Sequence, residues 1–172
     1  MAGFSKQAFI GGFYADYFFW VNVLTILIQA FLVSRIVKYL GIAGVILALP
    51  LVALGAYSTI ALGASLAVVL WAKTAENATD YSVMNTGKQM LWLLTSRAEK
   101  YKAKQAVDTF FVRTGDLLSA AIVYAGTTWL AMGVRGFAFT NLVLVLAWLT
   151  AAGLLLRAHR RVVAETQRTE AA

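Results

Sequence analysis

Apolar residues run along this chain in five long blocks separated by short polar breaks, predicting spans over residues 10–34, 41–62, 63–92, 109–132 and 137–156. Blocks of about 20 apolar residues read as transmembrane helices because, at roughly 1.5 Å per residue, that length crosses about 30 Å of hydrocarbon. The first block is aromatic at its outer end, with Phe13, Tyr14, Tyr17, Phe18, Phe19 and Trp20, which suits residues that favour the membrane interface. Pro50 sits mid-way along the second; a proline removes one backbone hydrogen bond, so a kink is expected there. The stretch TSRAEKYKAKQAVD, residues 95–108, reads as a charged connector. Residues 160–172 read as a polar tail that frays, leaving residues 1–159 as one all-α polytopic bundle.

Composition agrees with this pattern. The chain has 172 residues, 60% hydrophobic and 13% charged, with a mean hydropathy of +0.72, whereas soluble domains are roughly 45–50% apolar and 25% charged. The net charge of +7 does not point to nucleic acid, because no soluble basic domain exists to present it. Zero cysteines exclude disulfides, thiolate metal sites and c-type haem attachment. The single histidine, His159, lies beside a basic tail. No nucleophile stands next to a histidine, and there is no phosphate loop or metal-ligand cluster. The chain is therefore expected to be neither an enzyme nor a cofactor protein, with no catalytic or metal site.

The distribution of lysine and arginine predicts the orientation, since cytoplasmic loops retain positive charge. Five spans put Arg35, Lys38, Arg97, Lys100, Lys102, Lys104, Arg157, Arg160, Arg161 and Arg168 on one side, ten of the 15 basic residues, and only Lys6 and Arg135 on the other. The N-terminus is then outside and the C-terminus cytoplasmic. The connector is expected to touch anionic membrane lipid.

One stretch resists this apolar grammar. Residues 71–89, WAKTAENATDYSVMNTGKQ, follow fifteen uncharged residues, Tyr57 to Trp71, and then introduce Lys73, Glu76, Asp80 and Lys88. A span entering near Gly63 puts Lys73 roughly 15 Å deep, where a charge costs about 2.5–3.5 kcal/mol on insertion scales. Helical spacing gathers Lys73, Glu76, Asn77, Asp80, Met84, Gly87 and Lys88 on one stripe. Two readings follow. Lys73 and Glu76 neutralise each other and only lock helices together, or the stripe lines an aqueous path for a polar or charged solute. The fourth span repeats the motif with Arg113 and Asp116, beside the small pair Gly115 and Ser119 that permits close helix approach. Asn22, Thr25 and Gln29 form a neutral polar stripe on the first span, equally suited to interhelical hydrogen bonds and solute contact.

The run KTAENATDYSVMNTGKQMLWLLTSRAEKYKAKQAVDTFFVRTGDLLSA, Lys73 to Ala120, resembles the late-span signature of the ATP/ADP antiporter (nucleotide translocase) branch of the major facilitator-like transporters. The segment NVLTILIQAFLVSRIVKYLG, Asn22 to Gly41, resembles the region around the eighth span of that family, and Pro50 matches a proline of its ninth. The resemblance implies a transporter built from two six-helix halves, of which this chain would supply the eighth to twelfth spans. It would be a C-terminal half in a bacterial inner membrane, working with a missing N-terminal half or as a homo-oligomer. It implies alternating access for ATP and ADP or another polar or charged metabolite. The substrate path would include Lys73, Glu76, Asn77, Asp80, Lys88, Arg113, Asp116, Asn22 and Gln29. The translocases usually carry a lysine where this chain has Asp116, which widens the solute class beyond nucleotides. A non-transporting accessory or scaffold subunit is the alternative.

Overall fold

Few residues in this chain interrupt a helix, and among those described every regular element is helical. The computed structural model describes residues 6–94 and 97–170; Thr95 and Ser96, where the charged connector begins, lie outside them. In chain order the helices are α1 (Lys6–Leu27), α2 (Val33–Ala61), α3 (Leu66–Thr79), α4 (Asn85–Leu91), α5 (Arg97–Gln105), α6 (Val112–Thr128) and α7 (Val134–Glu170). Three π-helical segments, Ile28–Leu32, Asp80–Met84 and Ala106–Phe111, splice α1 to α2, α3 to α4 and α5 to α6 without ending the helix.

The real break inside α2 is Gly41, with φ +59° and ψ −156°. That backbone region is accessible essentially to glycine alone, and it turns α2 into two arms, 33–40 and 42–61. The helix runs on through Pro50 with helical backbone angles, and Pro50 is buried. The polar tail does not fray where expected, because α7 stays helical to Glu170. Its sequence explains this: RVVAETQRTE is rich in helix formers, and Arg161 and Glu165 are spaced for i,i+4 support.

The second arm of α2 is the hub. On one side it packs against α7, where Ile46, Ala152 and Leu156 are buried with Ile42 and Leu91 around them. On another it packs against the α3–α4 helix, where Val33, Val45 and Val83 form a second buried cluster. Gly87 is needed at that crossing, since a Cβ there would stand 2.9 Å from Val45 Cγ1. The first helix lies alongside α3 in parallel, with Trp20 and Trp71 rings 5.5 Å apart.

These contacts order the ends of the bundle. Ile42, Leu91 and Leu156 meet at one end, while the Arg135 guanidinium lies against Gly63 at the other. The segments carrying Arg35, Lys38 and Arg157 therefore share an end, and α5 begins from it. The α5–α6 helix stands apart, and its residues from Tyr101 to Tyr124 are exposed throughout. Its far end returns to the bundle at Gly126, beside the ring of Phe137.

The sorting of side chains by size is the reverse of a soluble core. Buried positions hold mostly valine and alanine, among them Val21, Val45, Ala53, Ala78 and Val145, whereas Phe19, Phe31, Leu117 and Val143 are 59%, 62%, 71% and 66% exposed. Small residues inside let helices approach closely, and a bulky apolar exterior suits hydrocarbon better than water. Two helical stretches, Ile10–Ala61 and Val134–Glu165, are long and apolar enough to cross a membrane by length and composition, with mean hydropathies of 2.2 and 2.1. The first includes the Gly41 turn.

Replacing Gly41 by alanine is expected to destabilise the fold by about 1–3 kcal/mol through backbone strain. Replacing Gly55, which is helical and open around its Cα, is expected to be neutral or to stabilise by up to about 1 kcal/mol. Thermal unfolding in detergent compares the two.

Candidate functional site

A lysine inside an apolar helix must find an anion or water, and Lys73 finds Glu76 one turn further along α3, with Nζ 2.6 Å from Oε2. The pair is not sealed away: the Lys73 side chain is 35% exposed and that of Glu76 16%. It is also not alone. Lys73 Nζ donates to the Tyr57 hydroxyl at 3.2 Å and lies 5.1 Å from the centroid of that ring. The Tyr57 hydroxyl donates in turn to Glu76 Oε1 at 3.5 Å. Cation, phenol and carboxylate thus close a small triangle between α2 and α3. Tyr57 reaches it because α3 folds back antiparallel to the second arm of α2 across the tight turn at residues 62–65, where Gly63 takes φ +88°.

The opposite flank is supplied by α1. Asn77 Nδ2 donates to the Tyr17 hydroxyl at 2.5 Å, and Tyr17 donates to the Lys73 carbonyl at 3.5 Å. Lys73 lines a recess of about 250 Å³ with Phe13, Tyr14, Tyr17, Leu66 and Leu70, and Tyr17 lines a second one, of about 330 Å³, with Asp16, Trp20, Trp71 and Thr74. Thr74 itself is buried and donates to the Leu70 carbonyl at 2.8 Å. Two helices therefore meet at the charged pair, and α1 adds a tyrosine bonded to the Lys73 carbonyl and to Asn77 beside it.

Of the residues expected on the solute path, Lys73, Glu76 and Asn77 come together here. Asp80 is half-buried at the start of the π segment, and Lys88 is exposed; neither has an ion-pair partner among the described residues. Arg113 and Asp116 sit on the detached α6, exposed and likewise without ion-pair partners among the described residues. Asn22 spends its amide on the Phe18 carbonyl of its own helix at 2.8 Å. Gln29 lines a separate groove with Tyr81, Asn85 and Gln89.

The stripe breaks after Asp80 for a physical reason. A π segment closes i→i+5 hydrogen bonds and so inserts about one residue into the helical count, a step of about 100°. Past Met84 the face carrying Asn77 continues through Asn85 and Gln89, while Gly87 is turned against Val45 of α2. Spacing rules that assume an unbroken 3.6-residue period place Met84, Gly87 and Lys88 on that face instead.

Tyr17 and Tyr57 were invisible as site residues in the sequence. Tyr17 reads there as one aromatic of an interface belt and Tyr57 as an uncharged residue of the second span; only the packing of α1 and α2 on α3 reveals them. The one signal available was that a mid-span lysine needs polar neighbours on other helices. Among the described residues no group of three or more His, Cys, Asp or Glu side chains is placed to hold a metal ion.

Glu76→Gln leaves the Lys73 ammonium without its carboxylate and is expected to destabilise by about 2–3 kcal/mol, whereas the double change Lys73→Met with Glu76→Leu recovers most of that loss. Chemical denaturation of the three proteins in detergent checks the order. Comparison of the chain with protein-family models, curated proteins and solved structures finds no match.

Proposed function

We propose that the chain is part of a secondary membrane transporter for a polar or charged metabolite, crossing the bilayer five times over residues 10–34, 41–62, 63–92, 109–132 and 137–156. The observation that carries this reading is the partly exposed Lys73–Glu76 pair, joined by Tyr57 of α2, with Tyr17 of α1 bonded to Asn77 beside it. A pair that serves only to lock helices needs no contact with water or a cavity, whereas the Lys73 side chain is 35% exposed and lines a recess. An accessible pair in mid-helix, with a recess beside it, is what a solute path requires. The ordering of the helix ends supports the orientation: the segments rich in lysine and arginine share the Gly41 end, which becomes the cytoplasmic face.

In this reading Lys73 and Glu76 contact the solute, and Asn77 and Tyr17 orient it. Asp80 and Lys88 lie further toward the cytoplasm as part of its exit. Transport proceeds by alternating access, with this helix set rocking against a second one. The resemblance of Lys73 to Ala120 to the nucleotide translocases makes ATP and ADP the first solutes to try. The exposed α5–α6 helix, with Arg113 and Asp116 unpaired beside Gly115 and Ser119, supports a partner polypeptide, either an N-terminal half or a second copy. It equally favours the second reading, an accessory or scaffold subunit that uses this helix to hold another membrane protein.

The chain has no cysteine, so single cysteines report topology without background. Cysteines replacing Ala64 and Gly133 are expected to react with an impermeant maleimide in intact cells, and those replacing Tyr39 and Ala158 only after permeabilisation. Reaction of all four from one side would overturn the five-span arrangement.

Exchange of labelled ATP for ADP is expected in cells that express the chain with an N-terminal-half partner, and Lys73→Met with Glu76→Leu is expected to abolish it while the protein still inserts. Unchanged exchange in that stable double variant would remove the pair from the path. Absence of exchange for every solute tried, with a stable partner complex recovered, would favour the scaffold reading.

A further inference from the structure

Below the charged pair, α1 and the α3–α4 helix enclose a second groove of about 550 Å³, lined by Thr25, Gln29, Tyr81, Asn85, Thr86 and Gln89 with Ile26 and Ala30. Among the described residues no charged side chain lines it. Its position follows from the helix geometry: Asn85 lies twelve residues beyond Lys73, about 18 Å along the axis.

The polar groups on these helices, including those that line the groove, fall into three sets. Asn22, Thr25, Thr74, Thr79, Ser82 and Thr86 each return a hydrogen bond to a carbonyl of their own helix. Tyr17, Tyr57, Lys73, Glu76 and Asn77 satisfy one another. Gln29, Tyr81, Asn85 and Gln89 do neither, and none has a hydrogen-bond partner among the described residues. Three carboxamides and a phenol with unspent donors and acceptors therefore face one cavity. The cavity also lies where two π segments, Ile28–Leu32 and Asp80–Met84, pack against each other. Such segments interrupt helices mostly at functional sites, and the second one rotates Asn85 and Gln89 into the groove.

We infer that this groove is a binding site for an uncharged ligand, or the uncharged portion of a solute, that presents both hydrogen-bond donors and acceptors, such as a carboxamide, a nucleobase edge or a polyol. An amide is donor and acceptor at once, so three of them match a ligand of mixed polarity and give a phosphate or carboxylate no cation. The volume is that of a small-molecule pocket. The inference deepens the reading of this face as a solute path and rests on it. Lys73 and Glu76 would take the charged part of the solute, and the groove the neutral part.

The test follows the side-chain amide signals of Gln29, Asn85 and Gln89 by proton–nitrogen correlation in the full chain, reconstituted in nanodiscs. Nicotinamide, adenosine and glucose are titrated separately, with inorganic pyrophosphate as the charged comparison. At least one uncharged probe is expected to shift these signals saturably. Both Asn85→Leu and the near-isosteric Asn85→Asp are expected to weaken that probe tenfold or more, while Lys73→Met with Glu76→Leu leaves its binding within twofold. Retained binding in that double variant, with nucleotide exchange lost or never seen, separates this site from the transport reading. No response to any uncharged probe, a response to pyrophosphate alone, or unchanged binding in Asn85→Asp would overturn the inference. Amide signals that change only with protein-to-lipid ratio would show the groove filled by a second copy, which also overturns it.

Discussion

The charge on Lys73 is the constraint around which the rest of this molecule is arranged. An ammonium in mid-helix on an apolar α3 would be costly without an anion and further hydrogen bonds, and the fold supplies both. Glu76 comes from the same helix and Tyr57 from the second arm of α2, while Tyr17 of α1 fastens α3 beside them through the Lys73 carbonyl and the Asn77 amide. Each of these depends on a backbone feature remote from the site. Tyr57 is in reach because the turn at Gly63, with φ +88°, folds α3 back along α2, and Tyr17 because α1 and α3 run parallel with Trp20 against Trp71. The buried clusters of valine, alanine and isoleucine are the means by which that geometry is held.

The arrangement leaves one side of the molecule open. The face shared by α1, α3 and α4 carries first a charged cluster and then a neutral one, both in contact with open recesses. This is a graded surface: ionic at the pair and hydrogen-bonding without charge beyond it. A solute with an ionised end and a neutral polar end finds both complements along a single helix. Uncommitted polar groups of this kind are tolerated beside hydrocarbon only where water, a ligand or protein meets them. The long, exposed α5–α6 helix makes the same point elsewhere, since Arg113 and Asp116 have no ion-pair partner among the described residues.

The π segments connect sequence to function in a way that residue spacing alone does not. Each keeps its helix continuous while shifting the register, so one helix presents two different faces to the same neighbour. At Asp80–Met84 this shift moves Asn85 and Gln89 into line with Asn77 and turns Gly87 toward Val45. Small and polar residues thus exchange roles within a single turn.

Much of this was legible before any coordinates. Helical character and the turns near residues 62–65 and 129–133 follow from hydropathy, because a helix satisfies its backbone internally and its burial pattern is written one residue at a time. The Lys73–Glu76 pair was equally legible, since i,i+3 neighbours meet on any helix. The role of Pro50 was not, because whether a proline visibly breaks a helix depends on its surroundings. The reversal at Gly41 was marked only as a boundary. Tyr17, Tyr57 and the amide groove belong wholly to the tertiary structure. Their partners lie 56, 16 and more than 50 residues away in the chain, and a π segment, which no spacing rule anticipates, sets which of them face each other. Local periodicity determines what a single helix can do; only the packing of one helix on another decides which polar groups meet and which remain free for a ligand.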